Sequence, residues 1–225
     1  YLGTAHHLNE NWDLAIQFLQ VATQKLDPKK QAEELAELQK RLAECERGKV
    51  LSASKSHLKV ENLGNKVNSQ YPDYGAVLNS DETVLYFTSR RANTTGNGKD
   101  GLGYFEDIYE SRKVNGEWGF AKNVRELNSK FHDAVISLSG NGKKMILYRE
   151  GDLYESELQE NSEWGTPHKM PSTINSKYPE TSASLSFNGD KLYFISQKPK
   201  GNHGGLDIFV SDLEADGHWG EARNL

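Results

Sequence analysis

Three aspartates stand at one position of a repeating pattern. Asp107, Asp152 and Asp207 open the segments DIYES, DLYES and DIFVS, each with an aromatic at its third place. A ring of carboxylates could hold a cation. The same residue could instead accept loop N–H groups where a strand begins, since buried backbone polar groups must be paired. A side chain needed once per repeat usually holds the repeat together, which favours the structural role. Gly96, Gly98 and Gly101 spell G-x-G-x-x-G. A dinucleotide site sets these glycines between a strand and a helix whose N-terminus meets phosphate. Here a strand-like segment, DIYES, follows, so the spacing argues against a nucleotide. None of the histidines (His6, His7, His57, His132, His168, His203, His218) has H-E-x-x-H or another zinc spacing. His132 takes the place held by proline in NSQYP and NSKYP and reads as a loop residue. No G-x-S-x-G elbow is present. Ser89, Ser111, Ser156, Ser196 and Ser211 recur with the strands and read as strand-end hydroxyls. The pattern supplies no catalytic constellation, no metal set and no cofactor site, and it reads as non-enzymatic.

What breaks the repetition is a better guide to a binding site. The connections Arg90–Glu106 and Gln197–Leu206 are long, whereas the middle repeat has only Arg149–Gly151. Both long loops should project from the same end and leave a notch over the middle repeat. The first carries Arg90, Arg91, Tyr104 and Phe105; the third carries Lys198, Lys200 and His203. Arginine and aromatic residues are favoured anchors at protein interfaces. The competing reading is a pair of solvated glycine-rich loops. A second candidate surface lies near Tyr1, His6 and Trp12, where packing among helices competes with binding.

These loops need a frame, and the repeat describes it. Val84–Ser111, Met145–Ser156 and Lys191–Ser211 are three copies of aromatic strand, loop, and Asp-led strand. A tryptophan follows each copy, in GEWG, SEWG and GHWG. A lead precedes each: NSQYPD from Asn68, NSKFHD from Asn128 and NSKYPE from Asn175. A repeat of this period signals stacked units or a propeller. Within each copy the hydrophobic period is 2, and tight-turn residues such as Asn188-Gly189 separate four short strands. In the first copy these are expected at Tyr74–Leu78, Val84–Ser89, Asp107–Lys113 and Gly119–Val124. Four antiparallel strands per copy describe a propeller blade. The tryptophans should pack between neighbouring blades.

Ahead of the repeats the period is helical. Leu14, Ala15, Phe18, Leu19 and Ala22 recur at helix spacing. Asn9 and Asn11 mark a turn between two helices, and Asp27-Pro28 closes the segment. Gly3, Ala15 and Ala22 permit close helix approach. Lys29–Lys49 should form a further helix with the stripe Ala32, Leu35, Leu38, Leu42 and Cys45, and with Glu37 and Arg41 paired on its other face. The single cysteine, Cys45, excludes an internal disulfide framework and reads as a small buried residue. A formal net charge of −5 gives no basic field for nucleic acid. No run is long and apolar enough for a transmembrane helix.

These segments resemble known families. Leu2, Gly3, Ala15, Leu19 and Ala22, with a proline just after, resemble a tetratricopeptide repeat. Leu85–Ser89, Leu192–Ser196, Asp107–Ser111 and Asp207–Ser211 resemble the WD40-like repeat called PD40, found in TolB-type propellers; the turns NSDE, SGNG and SFNG lack that family's proline. The combination resembles envelope proteins of Bacteroidota that join tetratricopeptide repeats, a PD40 propeller and an OmpA-like peptidoglycan-binding domain, including type IX secretion components. The expected fold class is therefore α+β and multidomain: a TPR-like helical domain at 1–57, then an all-β propeller region at 58–225. Its repeats are 68–127, 128–174 and 175–225, three four-stranded blades of an incomplete ring. Leu58–Leu63 is expected as an outer strand completing the last blade of a ring whose missing blades follow Leu225.

The resemblance implies a non-catalytic scaffold of the periplasm, associated with the outer membrane. Envelope proteins would bind the helices and the propeller loops, and peptidoglycan would be reached only through a domain outside this chain. The alternatives are an accessory propeller of a larger peptidase-type hydrolase, and a sugar- or metal-binding propeller.

Overall fold

The computed structural model describes residues 1–54, 59–199 and 204–225. The chain divides into two compact units, Tyr1–Glu61 and Asn62–Leu225. In the first, α1 (Leu2–Leu8), α2 (Trp12–Gln24) and α3 (Ala32–Ala53) form the helical part. The expected break falls between α1 and α2. Glu10 there has φ of 56° and Asn9 Nδ2 donates to the Ala5 carbonyl at 2.8 Å. Ala15, Leu19 and Cys45 are buried together, with Trp12, Ile16, Leu38 and Leu42 packed against them. Gly3 admits Leu19, and a Cβ on Gly3 would stand 2.7 Å from its Cγ. Gly48 likewise admits the Trp12 ring. His6 stacks on Phe18 at 5.4 Å. His6 and Trp12 are thus engaged in packing. α3 runs past the expected end at Lys49, because nothing before Ser54 breaks the helix.

The second unit is a propeller-like β region. Its first sheet holds β1 (Asp73–Leu78), β2 (Val84–Ser89), β5 (Asp107–Val114), β6 (Glu117–Trp118) and β7 (Lys122–Asn123). A two-strand ribbon, β3 (Lys99–Asp100) and β4 (Gly103–Tyr104), rises from its long loop. The second sheet holds β8 (Asp133–Leu138), β9 (Lys144–Arg149), β10 (Asp152–Glu157) and β11 (His168–Lys169). The third holds β12 (Glu180–Leu185), β13 (Lys191–Ser196), β14 (Asp207–Asp212) and β15 (Arg223–Asn224). All named pairings are antiparallel, and successive sheets stack blade against blade.

The first three long strands of the first sheet, β1, β2 and β5, lie close to their expected bounds. The outer strand is shorter: only Lys122–Asn123 is paired as a strand, with Glu110 and Tyr109, although the Gly119 and Val124 N–H groups also donate to the Arg112 and Ile108 carbonyls. The expectation of an outer strand at Leu58–Leu63 is not met. Leu58 lies outside the described residues, and 59–63 carry no strand. Side-chain amides take the N–H groups a ladder would need: Leu63 N–H donates to Asn68 Oδ1 at 3.1 Å, and Gly64 N–H to Asn62 Oδ1 at 2.8 Å.

The seams between blades hold the cores. At the first seam Tyr86, Ile108, Leu127, Met145, Leu147 and Trp164 are buried together. At the second, Ile146, Leu153, Ile174, Phe194, Phe209 and Trp219 do the same. Trp164 Nε1 donates to Tyr86 Oη at 3.3 Å, and Trp219 Nε1 to Glu155 at 3.2 Å. Ser111, Ser156 and Ser211 each donate to the carbonyl of the glycine after the blade's tryptophan.

The second and third lead segments each carry an asparagine that grips the blade before it. Ile108 N–H donates to Asn128 Oδ1 at 2.7 Å, and Asn128 Nδ2 returns a bond to the Ile108 carbonyl at 2.9 Å. Asn175 repeats this on Leu153, at 2.9 Å in both directions. Removing the Asn128 amide leaves the Ile108 N–H unpaired near the seam, while the Ile108 carbonyl still accepts the Val124 N–H at 3.0 Å; one such buried donor costs about 1–3 kcal/mol. Asn128→Ala should lower the unfolding free energy by about that amount. Urea denaturation with an unchanged midpoint would contradict this assignment.

Candidate binding site

A cleft of about 510 Å³ opens beside the first seam. Its walls are Tyr74, Ala134, Val135, Ile136, Tyr148 and the His132 ring; Arg90, Asp100, Glu106 and Glu150 supply charge. The short connection of the middle blade contributes Glu150, and the third blade reaches it through Thr181. The fold thus places a concave surface beside the connection that sequence spacing marks as short.

The long loop Arg90–Glu106 is pinned from inside. Arg90 is buried, and its guanidinium pairs with Asp100 at 2.5 Å and Glu106 at 2.6 Å. Its Nε has no hydrogen-bond partner among the described residues. Tyr74 Oη donates to Glu106 at 2.6 Å. His132 Nδ1 contacts Glu106, and its Nε2 lies 3.5 Å from Asp100. The Arg90 guanidinium and the Leu102 N–H hold the Asp100 carboxyl below its ordinary range. Burial pushes the Tyr74 phenol up. The cluster ties a loop of the first blade to a residue of the second blade's lead.

The expected anchors are placed as follows. Arg91 is drawn back onto its own blade: it pairs with Asp73 at 2.7 Å, donates to the Val67 carbonyl at 2.9 Å, and lies over the Phe87 and Tyr109 rings. Tyr104 packs edge-on against Tyr71 beneath the Lys99 ammonium. Phe105 packs against His132 with the rings tilted and their centres 4.1 Å apart. Lys198 sits over Phe194 and Phe209. Lys200 and His203 lie outside the described residues. Arg90 therefore faces the cleft while Arg91, Tyr104 and Lys198 are engaged on their own blades. Tyr148, Glu150 and His132 belong to the site without having been named for it. The signal available for His132 was its departure from proline in the lead.

The repeated aspartates divide by the length of the loop they meet. Asp107 is fully buried; its Oδ2 accepts the Thr95 N–H and Asn123 Nδ2, both at 2.6 Å, as a loop-holding acceptor should. Asp152, beside the short connection, pairs with Lys169 at 2.7 Å. Asp207 accepts from Asn224 Nδ2 at 3.1 Å. Among the described residues no three His, Cys, Asp or Glu side chains converge as a metal-ligand set.

No protein-family model matches the sequence, and no curated protein does. Solved structures resemble the chain in its course. TolB from Acinetobacter baumannii shares 15% identity at a TM-score of 0.46, over 71% of this chain and 33% of TolB. The WD40 repeats of RRP9 share 11% at 0.42, over 69% of this chain and 39% of that one. A prolyl endopeptidase shares 18% at 0.40, over 67% of this chain and 19% of the enzyme. The chain spans about a third of the TolB length, and at these scores the likeness bears on neither activity nor partner.

Burial raises the Asp107 carboxyl, against the pull of the Thr95 and Asn123 donors. An acid whose folded pKa is raised binds more protons in the native state, so stability falls as pH climbs through the window above the unfolded value. The penalty grows as pH rises toward neutral and is absent below the ordinary carboxylate range. Asp107→Asn should therefore raise the thermal midpoint at pH 7, by about 2–4 °C for each kcal/mol relieved. The gain should vanish in acid. Calorimetry of both proteins at neutral and acid pH would show whether it does.

Proposed function

We propose that this protein is a non-catalytic, protein-binding scaffold of the bacterial cell envelope, periplasmic and associated with the outer membrane. The observation that carries the reading is the cleft at the first seam. Its walls are aromatic and aliphatic, its rim is charged, and its long loop is fixed by Arg90, Glu106 and His132 on a rigid sheet frame. Preformed loops on a rigid scaffold are how such folds bind partners. The hydroxyl on the cleft's Thr88 accepts the Val135 N–H, so it serves the seam. The resemblance to Bacteroidota proteins with tetratricopeptide repeats, a PD40 propeller and an OmpA-like domain supports the location. Within that group the chain resembles PorE of the type IX secretion apparatus. On this reading the helical unit gives a second protein-binding surface, and a domain outside this chain reaches peptidoglycan.

A photo-crosslinking residue at Glu150, which is exposed at the rim, tests the reading in envelope preparations. It should capture a discrete envelope protein, and Glu150→Arg should reduce retention of that protein while Glu160→Arg does not. Absence of any adduct, together with turnover of peptide substrates by the purified chain, would replace the scaffold with the hydrolase alternative.

A further inference from the structure

Elsewhere in the β unit, aromatic faces and carboxylates are matched by cations of the chain itself. Arg149 lies over Tyr154, Lys144 over Trp219 and Arg91 over Tyr109. Asp133 meets Arg149, Glu155 meets Lys144 at 3.1 Å, and Asp152 meets Lys169 at 2.7 Å. The cleft beside the first seam departs from this habit. Among the described residues no cation stands over the ring of Tyr74 or Tyr148, both of which line it. Glu150, exposed at the rim, makes no ion pair and no side-chain hydrogen bond among them. Three carboxylates, Asp100, Glu106 and Glu150, stand there against the one guanidinium of Arg90. Arg90 occupies the first two. An imidazolium at His132 would fall on the same two, and Glu150 would still be left over.

The fold builds this place from one repeated position. Tyr74, Ala134 and Thr181 each follow the lead carboxylate of their blade, and all of them line the cleft. The first strand of each blade bulges there, at 75–76, at Ile136 and at Thr181. Bulges recur beside functional sites, where they re-aim side chains. Arg90, 5% exposed, lines the same cleft with an Nε that lacks an acceptor among the described residues. The cavity of about 510 Å³ falls within the roughly 300–1,000 Å³ usual for ligand pockets, which is room for a side chain and the backbone that carries it.

The cleft therefore lacks a cation for two aromatic faces and a carboxylate, and an acceptor for a buried donor. A basic residue within a peptide brings both kinds of group: an ammonium or guanidinium at its tip, and carbonyls along its backbone. We propose that the cleft takes a lysine or arginine side chain of the partner protein, met by the Tyr74 and Tyr148 rings and by the Glu150 carboxylate. The inference rests on the scaffold reading and names what the partner must present. Cations are drawn to the faces of tyrosine rings, and an exposed carboxylate adds an attraction that salt screens.

Amide correlation NMR of the isotope-labelled chain tests this with end-blocked tripeptides. The probes are glycyl-arginyl-glycine and glycyl-lysyl-glycine, with glycyl-citrullyl-glycine as the neutral control and spermidine as a free polyamine. Both basic peptides should shift the Tyr148, Glu150, Gly151 and Thr181 amides saturably, in the millimolar range expected of one side chain. Citrulline should not, and added salt should weaken the binding. Glu150→Gln and Tyr148→Leu should each raise the dissociation constant about two- to fivefold, with the rest of the spectrum retained, while Glu160→Gln leaves it unchanged. No saturable shift with either basic peptide overturns the proposal. So do equal shifts with citrulline, or an affinity indifferent to Glu150→Gln. Spermidine binding more tightly than both peptides overturns the assignment to a protein side chain. An envelope protein captured at Glu150 while both basic peptides fail keeps the scaffold and overturns this inference. Peptide binding without any captured protein leaves the cation site standing and overturns the scaffold.

Discussion

The β unit depends on the polar network in its lead segments. In each lead a serine turns the chain by donating its N–H and hydroxyl to a carboxylate four residues on: Ser69 to Asp73, Ser129 to Asp133, Ser176 to Glu180. The asparagine just before the serine then reaches back to the third strand of the previous blade in the second and third leads. A cation completes the arrangement in the first two blades. Arg91 joins Asp73 to the Val67 carbonyl, and Arg149 joins Asp133 to the Leu127 carbonyl. Arg149 does this from the strand position that Ser89 holds in the first blade, opposite the carboxylate. In the third blade Ser196 donates to Glu180 and Lys198 lies over the aromatic pair.

Such a network is costly to bury and worth its burial only when complete. Asp73 and Asp133 show how narrow the balance is. Burial works against both. At Asp73 the Arg91, Ser89 and Ser69 donors prevail and the carboxyl lies below its ordinary value. At the more deeply buried Asp133 desolvation prevails despite Arg149 and Ser129, and the carboxyl lies above it. The same residue type at the same repeat position thus contributes in opposite senses to acid stability. The first loses its contribution as pH falls through the carboxylate range. The second is relieved there.

Much of this was legible in the sequence because it repeats. The aromatic runs VLYFTS, MILYR and KLYFIS each marked one strand in one of the three sheets, and Trp164 and Trp219 were assignable to seams because a tryptophan recurs at one place in every repeat. The loop chemistry was harder to read. Arg90 and Arg91 are adjacent and look alike, yet one is tied to Asp100 and Glu106 and the other to Asp73. Which carboxylate each meets depends on contacts made only after the blades pack. The ribbon β3–β4 hides in a glycine-rich run whose composition suggests irregular loop. The outer strand was overestimated because Asn62-Leu63 resembles Asn123-Val124 locally, whereas strand formation requires a partner ladder.

The one-to-the-next character of the seams has a mechanical consequence. Each blade rests on its immediate neighbours, so stability in this region is a sum of local units and nearest-neighbour joints. Tension applied at Leu225 would load the joint sealed by Trp219 and Asn175 before the one sealed by Trp164 and Asn128. Extension would proceed blade by blade, and the cleft beside the earlier joint would lose only its Thr181 edge when the third blade pulls away.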